Sequence, residues 1–135
     1  MSARRFSARA CQAISLLSWR ATEDEFFLQQ VQRLAPHYAA KVFTHHRDTM
    51  HDLGFLYSLY SVALRQLTGD GGHRETGVRA ADLLARRFNP TGKFIRAWGR
   101  LDAAEFADMA IIDCMMNLPL LFWAANETGD SKFRD

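Results

Sequence analysis

The sequence is poor in cysteine and proline, has no long apolar run, and carries almost no net charge. Two cysteines, Cys11 and Cys114, cannot make a disulfide framework or a zinc-ligand pattern. Reduced thiols in a cytoplasmic protein are the simplest reading. No stretch approaches the ~20 consecutive apolar residues that span a bilayer, so no membrane partner is expected. A net charge of +2 across 135 residues is too small and too mixed to argue for nucleic acid. The one local asymmetry is at the start, where Arg4, Arg5, Arg9 and Arg20 precede the first acid, Glu23. This acid-free stretch resembles a transit or secretory segment only weakly, because Arg9 and Gln12 interrupt its apolar part. Residues 1–9 are read as a basic start without stable structure of its own.

What is present is helical periodicity. Leu53, Leu56, Tyr57, Tyr60, Ala63, Leu64 and Leu67 recur at spacings of three and four, as do Val78, Ala81, Leu84, Ala85 and Phe88. Pro36 divides the helix that starts near Asp24, and Pro119 falls in the first turn of a helix over Met115–Ala125 or kinks it. Only Lys93–Trp98, after the turn signal Asn89-Pro90-Thr91-Gly92, reads as a short extended piece. Three junctions repeat: Ala21-Thr22-Glu23-Asp24, Leu67-Thr68-Gly69-Asp70 and Glu127-Thr128-Gly129-Asp130. Each reads as a helix stop, a tight turn, and an Asp that caps the next helix. The fold class is therefore all-α, a series of antiparallel helix pairs. An ordinary bundle or solenoid satisfies the same pattern.

Two other aspartates sit at entrances of apolar helices: Asp52 in Thr49–Phe55 and Asp113 in Ile111–Leu121. They are 61 residues apart, and Thr68 and Thr128 of the turns are 60 apart. Both carboxylates thus hold nearly the same place in successive helix pairs. Neighbouring helices lie roughly 8–10 Å apart, so the two side chains are expected to share a pocket. The bland reading of each is a helix N-cap. Apolar residues on both sides of Asp113 predict a desolvated carboxylate, which is where a proton donor is made.

Four blocks then carry a family resemblance: His51–Phe55 (HDLGF), Leu67–Asp70 (LTGD), Arg87–Trp98 (RFNPTGKFIRAW) and Ile111–Ala124 (IIDCMMNLPLLFWA). Together, over about Leu16 to Phe133, they resemble glycoside hydrolase family 88, which contains the unsaturated glucuronyl hydrolases. The resemblance implies an (α/α)6 toroid and removal of 4,5-unsaturated uronic acid from the non-reducing ends of oligosaccharides. It implies Asp113 as catalytic acid/base, Asp52 as the second active-site carboxylate, and Trp98 as a sugar-stacking platform. Taken alone, Trp98 is more often a core or interface residue. His51 lies in the motif beside Asp52 and is read, with Trp98, Arg96 and Asn117, as a candidate substrate-binding residue. Arg96 is a candidate for the substrate carboxylate, with an outward salt bridge the equal alternative. Asn117, one helical turn from Asp113, is read as orienting it, or equally as a cap or core hydrogen-bonding group.

His37, His45, His46, His51 and His73 show no ligand spacing, so no metal is expected. No nucleophile elbow, P-loop or dinucleotide fingerprint is present, and no cofactor is implied. Twelve helices need roughly 200 residues. The expectation is an incomplete toroid over residues 1–135, with exposed helix edges that favour self-association and little or no activity in isolation. A truncated gene product, a misplaced start and a domain fragment all fit this. The start also departs from the family, whose Gly- and Trp-rich entry is replaced by Ala10–Ser15, with Trp19 out of place. The rival readings are a nonenzymatic helical interaction module and an unsaturated rhamnogalacturonyl hydrolase.

Overall fold

The computed structural model describes residues 3–134, with side chains from residue 12 onward, so the side chain of Cys11 lies outside the described residues. Seven α-helices follow in order: α1 (Ala3–Thr22), α2 (Glu25–Gln32), α3 (Ala35–Phe43), α4 (Leu53–Tyr57), α5 (Ala63–Thr68), α6 (Gly71–Ala85) and α7 (Leu118–Thr128). A π-helical stretch, Ser58–Val62, joins α4 to α5 without a break. The basic start, expected to be irregular, is helical from Ala3 onward as part of α1. Pro36 divides α2 from α3, and Pro119 lies in the first turn of α7, where its missing N–H costs nothing. The strands β1 (Phe88–Asn89) and β2 (Phe94–Ile95) pair antiparallel, so within Lys93–Trp98 only Phe94–Ile95 is strand, and Lys93 takes a left-handed φ of 56°.

The three repeated junctions share one hydrogen-bond scheme. The hydroxyls of Thr22, Thr68 and Thr128 donate to carbonyls four residues back. Asp24, Asp70 and Asp130 then accept from the backbone N–H two residues on, at 2.9, 2.7 and 3.0 Å. Gly69 and Gly129 take the left-handed conformation this turn demands. In the first copy Glu23 occupies it instead, at φ 58°.

These turns fold the helices back as antiparallel pairs. Helix α1 packs on α2, and α6 lies against α3, α4 and α7. Leu53, Leu64, Leu84 and Leu120 are fully buried between them, with Tyr57 and Tyr60. Tyr38 stacks on Tyr60 with ring centroids 3.7 Å apart and meets Tyr57 edge-on at 5.2 Å. The buried hydroxyls of Tyr57 and Tyr60 donate to the carbonyls of Tyr38 and Val31. Burial, reinforced by neighbouring Tyr38, holds both phenols far above their ordinary ionisation range. Phe88, counted with the apolar face of α6, lies beyond its end and is exposed.

His73, buried on α6, meets the Tyr60 ring edge-on. Burial lowers its pKa, against a smaller opposing pull from Asp70. The unfolded ring, with its ordinary value of about 6.5, binds protons more readily than the folded one. The contribution of neutral His73 is therefore complete above about pH 6.5 and is lost as pH falls toward the depressed folded value. Urea unfolding at about pH 7.5 and about pH 5.5 is expected to show a smaller stability loss in His73→Gln than in the parent chain.

One close approach fixes the site. A Cβ added at Gly54, in α4, meets the Asn117 Cα at 2.3 Å, a backbone atom that cannot swing away. Gly54→Ala is expected to cost about 3 kcal/mol, read as a fall of about 10 °C in thermal midpoint. An unchanged midpoint would show that the segment around Asn117 can retreat freely.

Candidate active site

His51 is the centre of the site. It is 5% exposed. Its backbone N–H donates to the Ala97 carbonyl at 3.2 Å, and its Nδ1 contacts the same oxygen at 2.9 Å. Its Nε2 faces Oδ2 of Asp113 at 3.3 Å. The ring of Trp98 stands edge-on to it at 6.3 Å, and Phe106 meets Trp98 edge-on at 6.4 Å. Trp98 is half-buried. With both ring nitrogens engaged inside the protein, His51 offers no free polar edge to a ligand.

The two aspartates differ from the three that cap turns. Asp52 precedes α4 in helical conformation, and its side chain makes no capping bond. Its carboxylate is 19% exposed and lies 3.9 Å from the Lys41 ammonium. Its charge also reaches Arg87 and Tyr57. Asp113 sits in the first turn of a 3-10 helix, Ile112–Asn117, whose N-cap position is Ile111 and not Asp113. The capping reading fails for both. The expected desolvation of Asp113 fails too, because its side chain is 56% exposed. Ile112, Met115 and Met116 beside it are themselves exposed, so the apolar run builds no wall over the carboxylate.

The expected shared hollow also differs from the one observed. His51 connects to both carboxylates, to Asp52 through the chain and to Asp113 through Nε2, while the Asp52 side chain turns toward Lys41. The cavity of about 420 Å³ beside this turn is lined by Ile111, Ile112, Cys114, Met115, Phe94 and Phe122, among others, and by neither aspartate. Cys114 is a free thiol that donates to the Ile95 carbonyl.

Asn117 takes the core alternative. Its Oδ1 accepts from the Gly54 N–H at 3.0 Å, which docks the 3-10 turn onto α4 at the close approach described above. Its buried Nδ2 has no protein partner. Arg96 requires a correction. It is 6% exposed, and its guanidinium donates to the carbonyls of Trp98, Ala103 and Glu105. It neither reaches outward for a salt bridge nor presents a free fork to a substrate carboxylate. The loop 99–106 uses those donors in place of a regular ladder.

Sequence reasoning missed Arg87. It is 3% exposed, and its guanidinium donates to the carbonyls of Thr49, Arg96, Ala97, Trp98 and Gly99. Burial and the nearby Arg96 charge lower its pKa, against opposing pulls from Asp52 and Cys114. Arg87 thereby fixes the backbone that carries both the His51 acceptor and Trp98. Its only sequence signal was its place at the head of the third family block. Among the described residues, no group of three His, Cys, Asp or Glu side chains gathers as a metal site, and no helix is long and apolar enough to cross a membrane.

Comparison with known proteins bears on this geometry. No protein-family model matches the chain. An unsaturated glucuronyl hydrolase of Bacillus sp. GL1 is 36% identical over 118 residues, 87% of this chain and 31% of the relative. An unsaturated chondroitin disaccharide hydrolase of Streptococcus pneumoniae is 48% identical over 85 residues, 63% of this chain and 21% of the relative. The crystal structure of the Bacillus sp. GL1 unsaturated glucuronyl hydrolase superposes with a TM-score of 0.82 at 35% identity, covering 91% of this chain and 33% of that one. The chain is homologous to part of the unsaturated glucuronyl hydrolases of glycoside hydrolase family 88. It spans between a fifth and a third of the length of these two curated relatives. The all-α arrangement of helix pairs matches the toroid of the unsaturated glucuronyl hydrolase structures. Another superposed chain, with a TM-score of 0.84 at 34% identity, is an Asp-to-Asn variant of such a hydrolase named with the oligosaccharide dGlcA-Glc-Rha-Glc.

Proposed function

We propose that this chain carries part of the active site of a hydrolase that releases 4,5-unsaturated uronic acid from oligosaccharide ends. The observation that carries the reading is Asp113: an accessible carboxylate, free of any capping duty, held on a buried histidine. The named activities of the relatives supply the substrate class. Unsaturated chondroitin disaccharide is the first to try, since the 48%-identical relative is named for it.

The chemistry differs from displacement at the anomeric carbon. In the unsaturated sugar, C4 and C5 form a double bond, with the ring oxygen and the carboxylate both on C5. Asp113 gives its proton to C4, leaving positive charge at C5 shared with the ring oxygen. Water adds at C5 and returns one proton to Asp113, so the acid is regenerated. The resulting hemiketal opens and expels the partner sugar. Trp98 is the stacking surface, and Asp52 is the second active-site carboxylate, its side chain held near Lys41. Arg96 is not part of this machinery.

The site is open, and water is not excluded from Asp113. Turnover by the 135-residue chain is therefore expected to be slow and measured over long incubations. The test is loss of the conjugated double bond's ultraviolet absorbance on incubation with unsaturated chondroitin disaccharide, alongside shifts of Trp98 resonances on adding the same sugar. If neither absorbance nor resonances change, the hydrolase reading falls and a nonenzymatic helical interaction module replaces it. Activity only on an unsaturated rhamnogalacturonan disaccharide would move the substrate class.

Exposed Ile112, Met115, Met116 and Phe122 give the chain a tendency to pair with a second copy. Sedimentation velocity is expected to show a concentration-dependent dimer that Ile112→Ser with Phe122→Ser abolishes. A monomer at all concentrations would remove this expectation.

A further inference from the structure

We infer that His51 is the proton-sharing partner of Asp113, locked by the Ala97 carbonyl in the one tautomer that allows this. The inference rests on the hydrolase reading for its purpose, but its geometry stands without it. A carbonyl oxygen has no hydrogen to give. The 2.9 Å contact between Nδ1 and the Ala97 oxygen is therefore a bond in which Nδ1 carries the proton. The Ala97 oxygen cannot easily turn away, because it also accepts the His51 backbone N–H and the Nη2 of Arg87. The Ala97 N–H is in turn bonded to the Met109 carbonyl.

With Nδ1 protonated, a neutral His51 presents a bare lone pair at Nε2. That lone pair faces a carboxylate oxygen 3.3 Å away. Two acceptors repel unless one proton lies between them. Only two arrangements attract: a protonated Asp113 donating to Nε2, or a carboxylate accepting from a doubly protonated ring. Both are the same pair with the proton on different atoms. Nε2 thus faces Asp113 as an atom able to share a proton with it, which suits a group that protonates carbon. The opposite tautomer would give Nε2–H and a permanent bond to the carboxylate, and would hold Asp113 in its ionised form.

Neighbouring polar and charged groups have partners of their own. Asp52 follows His51 in the chain and is held near Lys41. Arg87 is committed to five carbonyls, and Arg96 to three. Cys114 donates to the Ile95 carbonyl. His51 is accordingly a positioning residue that works through Asp113 and does not touch the sugar.

The test reads the ring itself in the full chain, without substrate. Long-range proton–nitrogen spectra of the nitrogen-15-labelled chain are expected to show Nδ1 protonated and Nε2 bare in the neutral His51 ring. In Asp113→Asn, whose amide can donate an N–H to the bare Nε2, the tautomer is expected to be unchanged. A neutral ring protonated at Nε2 would overturn the proposal. The tautomer measurement needs no variant, so it decides even if Asp113→Asn fails to fold. Failure here with absorbance loss intact would remove His51 and keep the hydrolase reading. The reverse result would keep the pair and remove the hydrolase reading.

Discussion

Asp113→Asn is expected to reduce consumption of the unsaturated disaccharide by about 10²–10⁴-fold, the range that a positioned acid/base contributes. For an open site this amounts to loss down to the uncatalysed background. The amide keeps the shape of the side chain and can still donate an N–H to His51 Nε2. It cannot protonate C4 or take a proton from water. Stability is expected to change by less than about 0.5 kcal/mol, because the carboxylate is more than half exposed and caps no helix. The three turn aspartates give the contrast. Asp70→Asn keeps its capping bond, since asparagine caps about as well as aspartate, and is expected to leave both stability and turnover unchanged. Equal absorbance loss by the parent chain and Asp113→Asn would remove this carboxylate from the chemistry.

That contrast also marks how far the sequence could be read. The Thr-x-Asp junctions were legible because each is a local device: a hydroxyl, a left-handed residue and a capping carboxylate within four positions. The helix pairs followed from them, and Asp52 and Asp113 stood out by a matching spacing of 61 residues, while their roles came only from the family resemblance. What lay beyond reach was what covers each residue. The apolar run from Ile111 to Ala124 reads as buried, yet Ile112 is 87% exposed, and the segment opens as a 3-10 turn before α7 starts at Leu118. Hydrophobicity records a preference for cover and does not say whether a neighbour supplies it. Arg96 and Arg87 failed for a related reason. An arginine in a motif suggests a ligand, but five donors in a rigid fork serve equally to satisfy the carbonyls of an irregular loop. Only the path of residues 95–106, set by tertiary contacts, distinguishes the two uses.

Arg87→Leu is expected to cost about 4 kcal/mol, a large share of the ~5–15 kcal/mol that holds a domain of this kind together. Hydrogen bonds to a charged group each contribute about 1.5–3 kcal/mol, but they do not add when one side chain makes five. Some acceptors keep other donors: Ala97 retains His51, and Trp98 retains the Nε of Arg96. The side-chain donor to the Thr49 carbonyl is lost, as is that to Gly99. Part of the loss is offset, because the burial cost of a guanidinium with no bonded carboxylate also disappears. Arg87→Lys separates charge from geometry. An ammonium keeps the positive charge but has three donors on one atom, which cannot span carbonyls of residues 49, 96, 97, 98 and 99. It is expected to recover less than half of the stability lost in Arg87→Leu, measured by urea unfolding at constant pH. Full recovery by lysine would mean that a buried positive charge, balanced by Asp52, matters more than the fork. The site would change as well, since the Ala97 carbonyl that Arg87 holds is the one that fixes the His51 ring. In folded Arg87→Lys protein, the neutral ring is expected to populate both tautomers, so loss of backbone anchoring and loss of proton order at Asp113 should appear together.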